Sequence, residues 1–525
     1  MSLVSGQHFV AGSGEFGRGE LFTAIDASSG AALAPDYREA SDEQIDRACA
    51  AAATATTAFA GSPARARANL LRAIGDGLVA LGDTLVARVT SETALPAARV
   101  LAERGRTVLQ LQQFADLLEE GSWVDAAIDH GDRARQPQAK PDVRRMLLPL
   151  GPVAVFGASN FPLAYSVAGG DTASALAAGC PVVVKAHPAH PGSSELVGAV
   201  ITAAVARLQL PAGTFSLLHG RTHATGAKLV AHAAIAAVGF TGSHQGGRAL
   251  LDVAAQRAQP IPVFAEMGSV NPVVVLPQAL RTRGPAIAEQ LVASALLAQG
   301  QFCTSPGLVA WIDGPGAHEF AAMLGQRLGA ANSGPTVHTS IRAGFERALA
   351  EVGTLPGVIA ATGQKTSTAA TAVCPTLLTA TAAMVLRHAR LRSEIYGPAV
   401  LAVACRDADE LHAVVQSMHG HLTATVHGSD DDFIRHERIT ASLRQKVGRL
   451  IANGVPTGVE VCRSMVHGGP YPAATDARFS AVGTTSIQRW VRPAAWQDWP
   501  HELLPLELRD DNPLGIRRYV DGKFR

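Results

Sequence analysis

Two rhythms of apolar and polar residues divide the chain. Between residues 41 and 120 the apolar side chains recur near the 3.6-residue period of a helix: Leu70, Leu71, Ile74, Leu78, Leu81 and Leu85. The run begins with Ser41-Asp-Glu-Gln, which provides the hydroxyl and the downstream glutamine of a helix N-terminus. This part of the chain is therefore predicted to be helical.

From residue 153 onward, short β-branched runs alternate with helical stretches. The first runs lie at 153–156, 181–185, 215–218 and 237–240. A second series lies at 273–276, 308–312, 400–404, 422–426 and 449–452, with a helix near 286–298. Strands that alternate with helices are typical of parallel, doubly wound sheets. The fold class is therefore α/β, and two doubly wound domains are predicted.

The chain beyond Ser480 has a different character. It is rich in prolines and holds these aromatic side chains: Trp490, Trp496, Trp499, Tyr519 and Phe524. Such a segment indicates an arm packed on another subunit better than a free domain, and residues 485–491 are predicted to be a strand of it.

Composition narrows the choice of partners. The chain has 525 residues, which at about 150 residues per domain corresponds to roughly three units. Its formal charge of +1 lacks the excess that nucleic acids or anionic membranes attract. No basic leader precedes an apolar run, and no apolar run approaches the about eighteen residues of a membrane span. We expect a cytoplasmic enzyme that acts on small molecules.

Polar side chains stand at the ends of the first predicted strands. Asn160 follows the first strand, Lys185 ends the second, and Gly242 and Ser243 follow the fourth. Ligands gather at the carboxyl ends of parallel strands, and a helix N-terminus after Ser243 can meet an anion. A structural interpretation also remains open for each of them. Asn160 could be a turn residue, Lys185 could be a solvated surface lysine, and Gly242 and Ser243 could form a tight turn between a strand and a helix.

Two further residues have the side chains of covalent catalysis. Glu266 ends a short apolar run, and a carboxylate among apolar neighbours can act as a general base. Cys303 follows a glycine turn in Gly300-Gln-Phe-Cys. A cysteine considered on its own more often has a structural role than a catalytic one, so a structural role for Cys303 stays open at this point. The six cysteines form no Cys-x-x-Cys pair, which argues against a disulfide framework and against a structural zinc site.

Taken together, these stretches resemble the aldehyde dehydrogenase superfamily over about residues 40–490. The family's base motif is similar to Glu266-Met-Gly-Ser, and its cysteine motif is similar to Gly300-Gln-Phe-Cys303, 37 positions after the glutamate. The family's cofactor motif Glu-Ile-Phe-Gly-Pro is similar to Glu394-Ile-Tyr-Gly-Pro398.

The resemblance implies a thioester mechanism. Cys303 attacks the aldehyde, Asn160 and the Cys303 N–H hold the oxyanion, Glu266 activates the hydrolytic water, and no metal is required. The cofactor-binding residues implied are Phe156, Lys185, His187, Arg221, Gly242, Ser243 and Glu394.

The resemblance also implies a domain plan. Residues 1–128 and 146–266 form the dinucleotide-binding domain, and residues 267–465 form the catalytic domain. Residues 129–145 and 480–500 form an oligomerisation arm, and 501–525 form a tail. A homodimer or homotetramer is expected.

One departure from the family pattern concerns the cofactor. Many members have an acidic residue three positions after the lysine to hold the adenosine ribose, but this chain has Pro188 there. Arg221 follows the third strand, where related NADP-using members place an arginine. NADP is therefore preferred, with NAD as the other candidate.

A second departure concerns the substrate. The segment Met465-Val-His-Gly-Gly-Pro, with Lys185-Ala-His-Pro, resembles the α-ketoglutaric semialdehyde (2,5-dioxovalerate) dehydrogenase branch. The substrate residues expected on this basis are Phe161, Arg104, Arg106, Arg463 and His467.

Other functions stay open. An NADP-linked fatty aldehyde dehydrogenase would use Phe161 as an apolar wall. An acyl-transferring reductase would lack the base at Glu266. A thiol hydrolase would need a histidine partner for Cys303, and none of the 18 histidines lies in a recognisable local motif. A binding protein on the same fold should have lost at least one of the catalytic residues.

Overall fold

Helices and strands alternate through most of the computed structural model, which describes residues 4–525. The first three residues of the predicted dinucleotide-binding domain lie outside this range. The strands are β1 (Gln7–Val10), β2 (Ser13–Phe16), β3 (Leu21–Ile25), β4 (Ala32–Arg38), β5 (Ala127–Asp129), β6 (Val143–Pro149), β7 (Val153–Phe156), β8 (Val182–Lys185), β9 (Phe215–Leu218), β10 (Ala237–Thr241), β11 (Val263–Glu266), β12 (Val273–Val275), β13 (Leu308–Ile312), β14 (Gly334–Pro335), β15 (Ile359–Thr362), β16 (Ala372–Val373), β17 (Thr376–Thr379), β18 (Ala399–Cys405), β19 (His421–His427), β20 (Val447–Ala452), β21 (Val491–Gln497), β22 (Tyr519–Val520) and β23 (Lys523–Phe524).

The α-helices are α1 (Asp42–Ala60), α2 (Ala64–Ala80), α3 (Gly82–Thr93), α4 (Ala97–Glu120), α5 (Gly170–Ala178), α6 (Pro191–Arg207), α7 (His223–Ala231), α8 (His244–Ala255), α9 (Pro277–Leu296), α10 (Ala317–Ala330), α11 (Thr339–Gly353), α12 (Ala382–Arg387), α13 (Ala408–Ser417), α14 (Asp430–Arg435) and α15 (Glu437–Arg444). The predicted start of the helical region is confirmed, because Ser41 caps α1 and Gln44 completes the reciprocal pair of hydrogen bonds.

Two seven-stranded sheets form the framework, and the predicted α/β fold class is confirmed. The first has the order β11-β10-β7-β8-β9-β1-β2, with β7 to β11 parallel and the β1–β2 hairpin antiparallel. The second has the order β15-β17-β18-β13-β12-β19-β20, in which all strands except β15 are parallel. Helices cover the sheets, so the central strands are buried on both faces, as in β7, β12 and β19.

A third sheet stands apart from these two. It has five strands in the order β21-β6-β5-β22-β23. Its strands come from residues 127–129, 143–149, 491–497 and 519–524, so the predicted tail contributes two strands beside the predicted arm. The division of the chain into domains stays a prediction.

The strand predicted at residues 485–491 is wrong. Thr484–Trp490 is a 3₁₀ helix, and the strand that pairs with β6 begins only at Val491. The side chains explain the difference, because the Trp490 Nε1–H donates to Ser174 Oγ at 2.7 Å and Arg489 pairs with Asp171 at 2.8 Å. These residues are buried against α5 and are not available to a sheet.

None of the helices within residues 4–525 combines the length and the apolar character that crossing a lipid bilayer requires.

Candidate active site

The segment that carries Cys303 is fixed by its backbone. After α9 the chain turns sharply at Ala298 and Gln299, whose φ angles are 46° and 54°. Gly300 also has a positive φ of 66°, and a Cβ there would overlap the Gly397 backbone. The buried Asn271 side chain then donates from Nδ2 to the carbonyls of Cys303 and Ser305, both at 2.9 Å. The thiol is therefore held on a rigid loop just before β13.

Cys303, His467 and Glu266 meet at one point. Cys303 Sγ lies 3.4 Å from His467 Nε2, and the same nitrogen lies 2.9 Å from Glu266 Oε2. The three ligand atoms lie within 4.8 Å of one another, which is close enough to hold a metal ion. His467 and Glu266 are almost fully buried, with 1% and 3% exposure. This arrangement combines a thiol, an imidazole and a carboxylate.

Backbone pairing explains how His467 arrives there. Glu266 ends β11, at the edge of the first sheet, and forms an antiparallel bridge with Ala474. The Met267 N–H donates to Ala473, and the Thr475 N–H donates to Ala265. The segment after His467 thus runs along β11, and the His467 N–H is itself held by Ser480 Oγ at 3.0 Å. The histidine is 164 positions from Cys303 in sequence.

The thiol is not ionised by its surroundings alone. Burial, and then the charge of Glu266, raise the pKa of Cys303 well above its usual value. The Arg106 guanidinium acts in the opposite direction. A neighbouring base is therefore required to take the thiol proton when the sulphur becomes a nucleophile.

Asn160 lies beside the same loop. Its Nδ2 donates to the Gln301 carbonyl at 2.9 Å, and the Tyr396 hydroxyl donates to the same oxygen at 2.9 Å. A side-chain amide has two N–H groups, and Asn160 uses one of them here. The other is the group predicted to meet the oxyanion.

The predicted cofactor residues follow the strands of the first sheet. Phe156 ends β7 with its ring edge on Phe240, and Lys185 ends β8, where burial lowers its pKa to about 8. Ser243 caps α8, accepting from the Gly246 N–H at 3.1 Å, and the Gly242 N–H donates to the Glu266 carbonyl. Strand ends and a helix N-terminus therefore lie side by side, as a dinucleotide requires.

His187 and Arg221 flank this row. The His187 ring stacks on His190 with 5.5 Å between ring centroids. The Arg221 N–H donates to Glu39 Oε1 at 2.7 Å, which fixes the backbone of the turn after β9. The Arg221 side chain is exposed, and its guanidinium has no hydrogen bond or ion pair within residues 4–525.

Glu394 enters from the second sheet, just before β18. Burial raises the pKa of its carboxyl group to about 7. A Cβ at residue 268 would overlap the Glu394 carboxylate, so Gly268 permits this approach. Glu394, Ser269 and Gly300 line one cleft.

Comparison with known proteins identifies the family. The model of the aldehyde dehydrogenase family matches residues 18–471. The chain is 47% identical to an α-ketoglutaric semialdehyde dehydrogenase 2 of Azospirillum brasilense, over 99% of each protein. It is 39% identical to the α-ketoglutaric semialdehyde dehydrogenase of Acinetobacter baylyi, again over 99% of each. The chain belongs to the aldehyde dehydrogenase family.

A solved structure agrees in fold. The betaine aldehyde dehydrogenase of Staphylococcus aureus in complex with NAD+ superposes with a TM-score of 0.80, at 18% identity, covering 95% of this chain and 98% of that one. The predicted family, fold and enzyme class are confirmed, so the chain is an oxidoreductase that acts on aldehydes with a nicotinamide dinucleotide.

In this aldehyde dehydrogenase the predicted substrate residues do not all face the thiol. Phe161 lies beside the loop that carries the thiol, packing edge-on against Phe302, the residue before Cys303, and against Tyr165, at 5.2 Å between ring centroids. Arg104 donates to the Gly82 carbonyl at the start of α3, and Arg463 is exposed without a side-chain partner in the described chain. His467 lies against Cys303 and Glu266.

Arg106, the other candidate arginine of α4, lies nearer to the thiol than Arg104 does. Its Nη2–H donates to the Tyr165 hydroxyl at 3.2 Å, and its charge acts on Cys303. Arg99 lies two helical turns earlier, with its guanidinium 4.5 Å from the Phe161 ring centre. Helical periodicity explains why Arg106 and not Arg104 lies there. Arg99 and Arg106 are seven residues apart and share one face of α4, whereas Arg104, two residues before Arg106, lies on another face.

Sequence reasoning missed several residues of the site. The contact of His467 with Cys303 was missed because the search for a histidine partner considered only local motifs. The segment Met465-Val-His-Gly-Gly, which departs from the family pattern, was the available signal that His467 has a special role. Asn271 and Tyr396 were missed because they act through backbone carbonyls, which no sequence pattern reveals.

Proposed function

We propose that this aldehyde dehydrogenase oxidises α-ketoglutaric semialdehyde to 2-oxoglutarate, with NADP+ preferred over NAD+. The aldehyde, a water molecule and the oxidised dinucleotide give the carboxylate, the reduced dinucleotide and two protons. The meeting of Cys303, His467 and Glu266 carries the chemical part of the proposal. The names and coverage of the two relatives carry the choice of substrate.

In the first step Cys303 Sγ attacks the aldehyde carbon. His467 Nε2, 3.4 Å away, takes the thiol proton, and the adjacent Glu266 carboxylate stabilises the resulting imidazolium. The free N–H of the Asn160 amide and the Cys303 backbone N–H stabilise the oxyanion. No free thiolate has to exist beforehand, which fits the raised pKa of Cys303.

The bound dinucleotide supplies the hydride acceptor for the second step. Lys185, Ser243 and Glu394 are proposed to hold it, and loss of the hydride converts the Cys303 adduct into a thioester. Glu266 then deprotonates a water molecule that attacks this thioester. The C–S bond breaks, and the Cys303 sulphur leaves and takes its proton back from His467. Its carboxylate oxygens, which accept no hydrogen bond in the described chain, are available to that water.

Arg106 is proposed to bind the distal carboxylate of the substrate. Its Nε is buried without a partner, while Nη2 is oriented by Tyr165. Arg449, in β20, is near enough for its charge to interact with Cys303 and Tyr165, and its Nε also lacks a partner. A carboxylate would supply the missing acceptors through charge-assisted hydrogen bonds.

Arg221 is proposed to bind the 2′-phosphate of NADP. Glu39 holds its backbone at the end of β9, while the guanidinium stays exposed and unpaired in residues 4–525. With Pro188 in place of an acidic ribose acceptor, no carboxylate at that position opposes a phosphate.

A medium-chain or fatty aldehyde is the second candidate substrate. The contacts among Phe161, Phe302 and Tyr165 form an aromatic wall beside the nucleophile, which suits an apolar chain. Arg106 and Arg449 argue against it, because an apolar substrate would offer no acceptor to their buried, unpartnered nitrogens.

The test compares kcat/KM for α-ketoglutaric semialdehyde with kcat/KM for hexanal. Arg106→Gln should lower the semialdehyde-to-hexanal ratio by about 10- to 150-fold, the range of a hydrogen bond to a charged group. Arg104→Gln is the matched control and should leave the ratio unchanged. A wild-type enzyme that prefers hexanal would disprove the semialdehyde assignment.

We also propose a homodimer or homotetramer in the cytoplasm. The edge strand β21 of the five-stranded sheet leaves one row of backbone groups for pairing with another chain. The nucleophilic thiol must stay reduced, which fits a reducing compartment. Sedimentation of the purified enzyme tests the assembly.

A further inference from the structure

We propose that Cys303, His467 and Glu266 also form a reversible binding site for zinc, which blocks the enzyme in competition with its aldehyde. The inference concerns the unliganded enzyme and does not depend on which aldehyde is the substrate. The inhibitory cation would bind the same three side chains that are proposed to carry out the covalent chemistry.

The spacing of the ligand atoms fits tetrahedral zinc. Bonds of about 2.3 Å to sulphur and about 2.0 Å to nitrogen or oxygen place sulphur and nitrogen about 3.5 Å apart and nitrogen and oxygen about 3.3 Å apart. The observed separations are 3.4 Å between Cys303 Sγ and His467 Nε2 and 2.9 Å between His467 Nε2 and Glu266 Oε2. These two separations lie within a few tenths of an ångström of the zinc values, and the third, between Cys303 Sγ and the Glu266 carboxylate, is within 4.8 Å.

A second observation points to a cation. Glu266 is 3% exposed, yet neither of its carboxylate oxygens accepts a hydrogen bond within residues 4–525. His467 Nε2 approaches Oε2 to 2.9 Å and Cys303 Sγ to 3.4 Å, so this one nitrogen lies between the sulphur and the carboxylate. A buried carboxylate without a donor is costly, and a cation between the three side chains would satisfy it.

The chemistry of the ligands selects the ion. A thiolate with an imidazole favours zinc over magnesium or calcium, which prefer oxygen ligands. Three protein ligands leave a fourth position for water. Binding replaces the Cys303 thiol proton, which passes to solvent, and no oxidation or reduction occurs. With its lone pair on the metal, Sγ cannot attack an aldehyde, so inhibition follows and a chelator reverses it.

Cobalt(II) provides the direct test, because a cobalt–thiolate bond has a charge-transfer absorption that does not depend on turnover. Titration of the metal-free enzyme should give this band with one equivalent per chain. Zinc should displace cobalt and inhibit aldehyde oxidation competitively. Cys303→Ser should lose the band, whereas Cys462→Ser, which changes another partly exposed cysteine, should keep it.

His467→Gln separates this site from binding to a lone thiol. The variant should weaken cobalt and zinc binding at least about tenfold, since it removes one of three ligands. Binding of NADP+ to the same variant reports that the fold is intact. Equal zinc affinity in wild type and His467→Gln, or a cobalt band that survives Cys303→Ser, would overturn the proposal. Loss of semialdehyde activity with intact cobalt binding would count against the proposed function alone.

Discussion

The two seven-stranded sheets present opposite ends to the same cleft. In the first sheet the predicted site residues stand at or just after the carboxyl ends of the strands, as Lys185 does for β8 and Glu266 for β11. In the second sheet they stand before the amino ends. Cys303 precedes β13, and Glu394 precedes β18.

The carboxyl ends of the strands in the second sheet have a different role. After β18 and β19 the chain reaches Asp407 and Ser429, whose side chains cap α13 and α14. These ends stabilise helix starts. The rule that ligands gather at carboxyl ends of parallel strands therefore describes the first sheet and not the second. We expect changes at Lys185 and Ser243 in the first sheet to alter dinucleotide binding, and changes at Cys303 beside the second sheet to alter covalent chemistry. Glu266 and Glu394 are the two exceptions to this division.

Cys303→Ala should give the largest difference between the effect on catalysis and the effect on dinucleotide binding. It removes the sulphur nucleophile from the second sheet, so kcat should fall by at least about 1000-fold. The dissociation constant of NADP+, measured by fluorescence titration, should stay within about twofold of wild type because the predicted binding residues are elsewhere. Residual turnover near the wild-type rate would exclude Cys303 as the nucleophile.

Glu266→Gln tests one of the two residues that break the pattern, since Glu266 comes from the first sheet but is proposed to act in hydrolysis. The thioester should still form, so rapid mixing should show a burst of NADPH close to one per active site. Steady-state turnover should then be slower by about 100- to 10,000-fold, the range for losing a general base. Absence of a burst would place Glu266 before hydride transfer.

His467→Gln should affect the step that Glu266→Gln spares. Without the imidazole, removal of the Cys303 proton is slower, so the burst rate should fall by about 100-fold. Alkylation of Cys303 by iodoacetamide should slow in parallel, a change that a purely structural role would not produce. His318→Gln, on the exposed side of α10, is the control. An unchanged alkylation rate would show that His467 does not activate the thiol.

The sequence anticipated these two sheets unequally. In the first sheet β7 to β10 were located to within a residue or two, whereas β1, β2 and β11 were not predicted as strands. Lys185 and Ser243 followed from the strand-end rule. Cys303 and Glu394 came from family resemblance, because physical reasoning had no rule for residues that precede a strand. His467 was placed at the substrate, since its position depends on backbone pairing between β11 and Ala474. Long-range pairing of this kind leaves no periodic signal.

Arg221→Ala tests the proposed contact between the first sheet and the 2′-phosphate of NADP. Losing a charge-assisted hydrogen bond to the 2′-phosphate should weaken NADP+ by about 1–3 kcal/mol, while NAD+ binding changes little. The two dissociation constants should be measured on the same preparation. Glu39 holds the backbone of this turn, so removing the guanidinium should leave the turn in place. Equal losses for both cofactors would mean that Arg221 supports the fold.

The smallest expected effect is the pH dependence that Lys185 gives to dinucleotide binding. Burial lowers its pKa to about 8, with Glu39 opposing the shift, so the lysine is charged below pH 8 and loses its proton above it. A hydrogen bond to the cofactor favours the charged form. If binding raises this pKa by one unit, or about 1.4 kcal/mol, the dissociation constant should increase about fivefold between pH 7 and pH 9.

Lys185→Arg supplies the control, because arginine stays charged throughout this range. Its dissociation constant for the dinucleotide should therefore be nearly independent of pH. Lys185→Met should also give a flat profile, but at weaker affinity. An equally steep increase in the arginine variant would assign the titration to another group. It would then remove Lys185 from the row of strand-end residues that distinguishes the first sheet from the second.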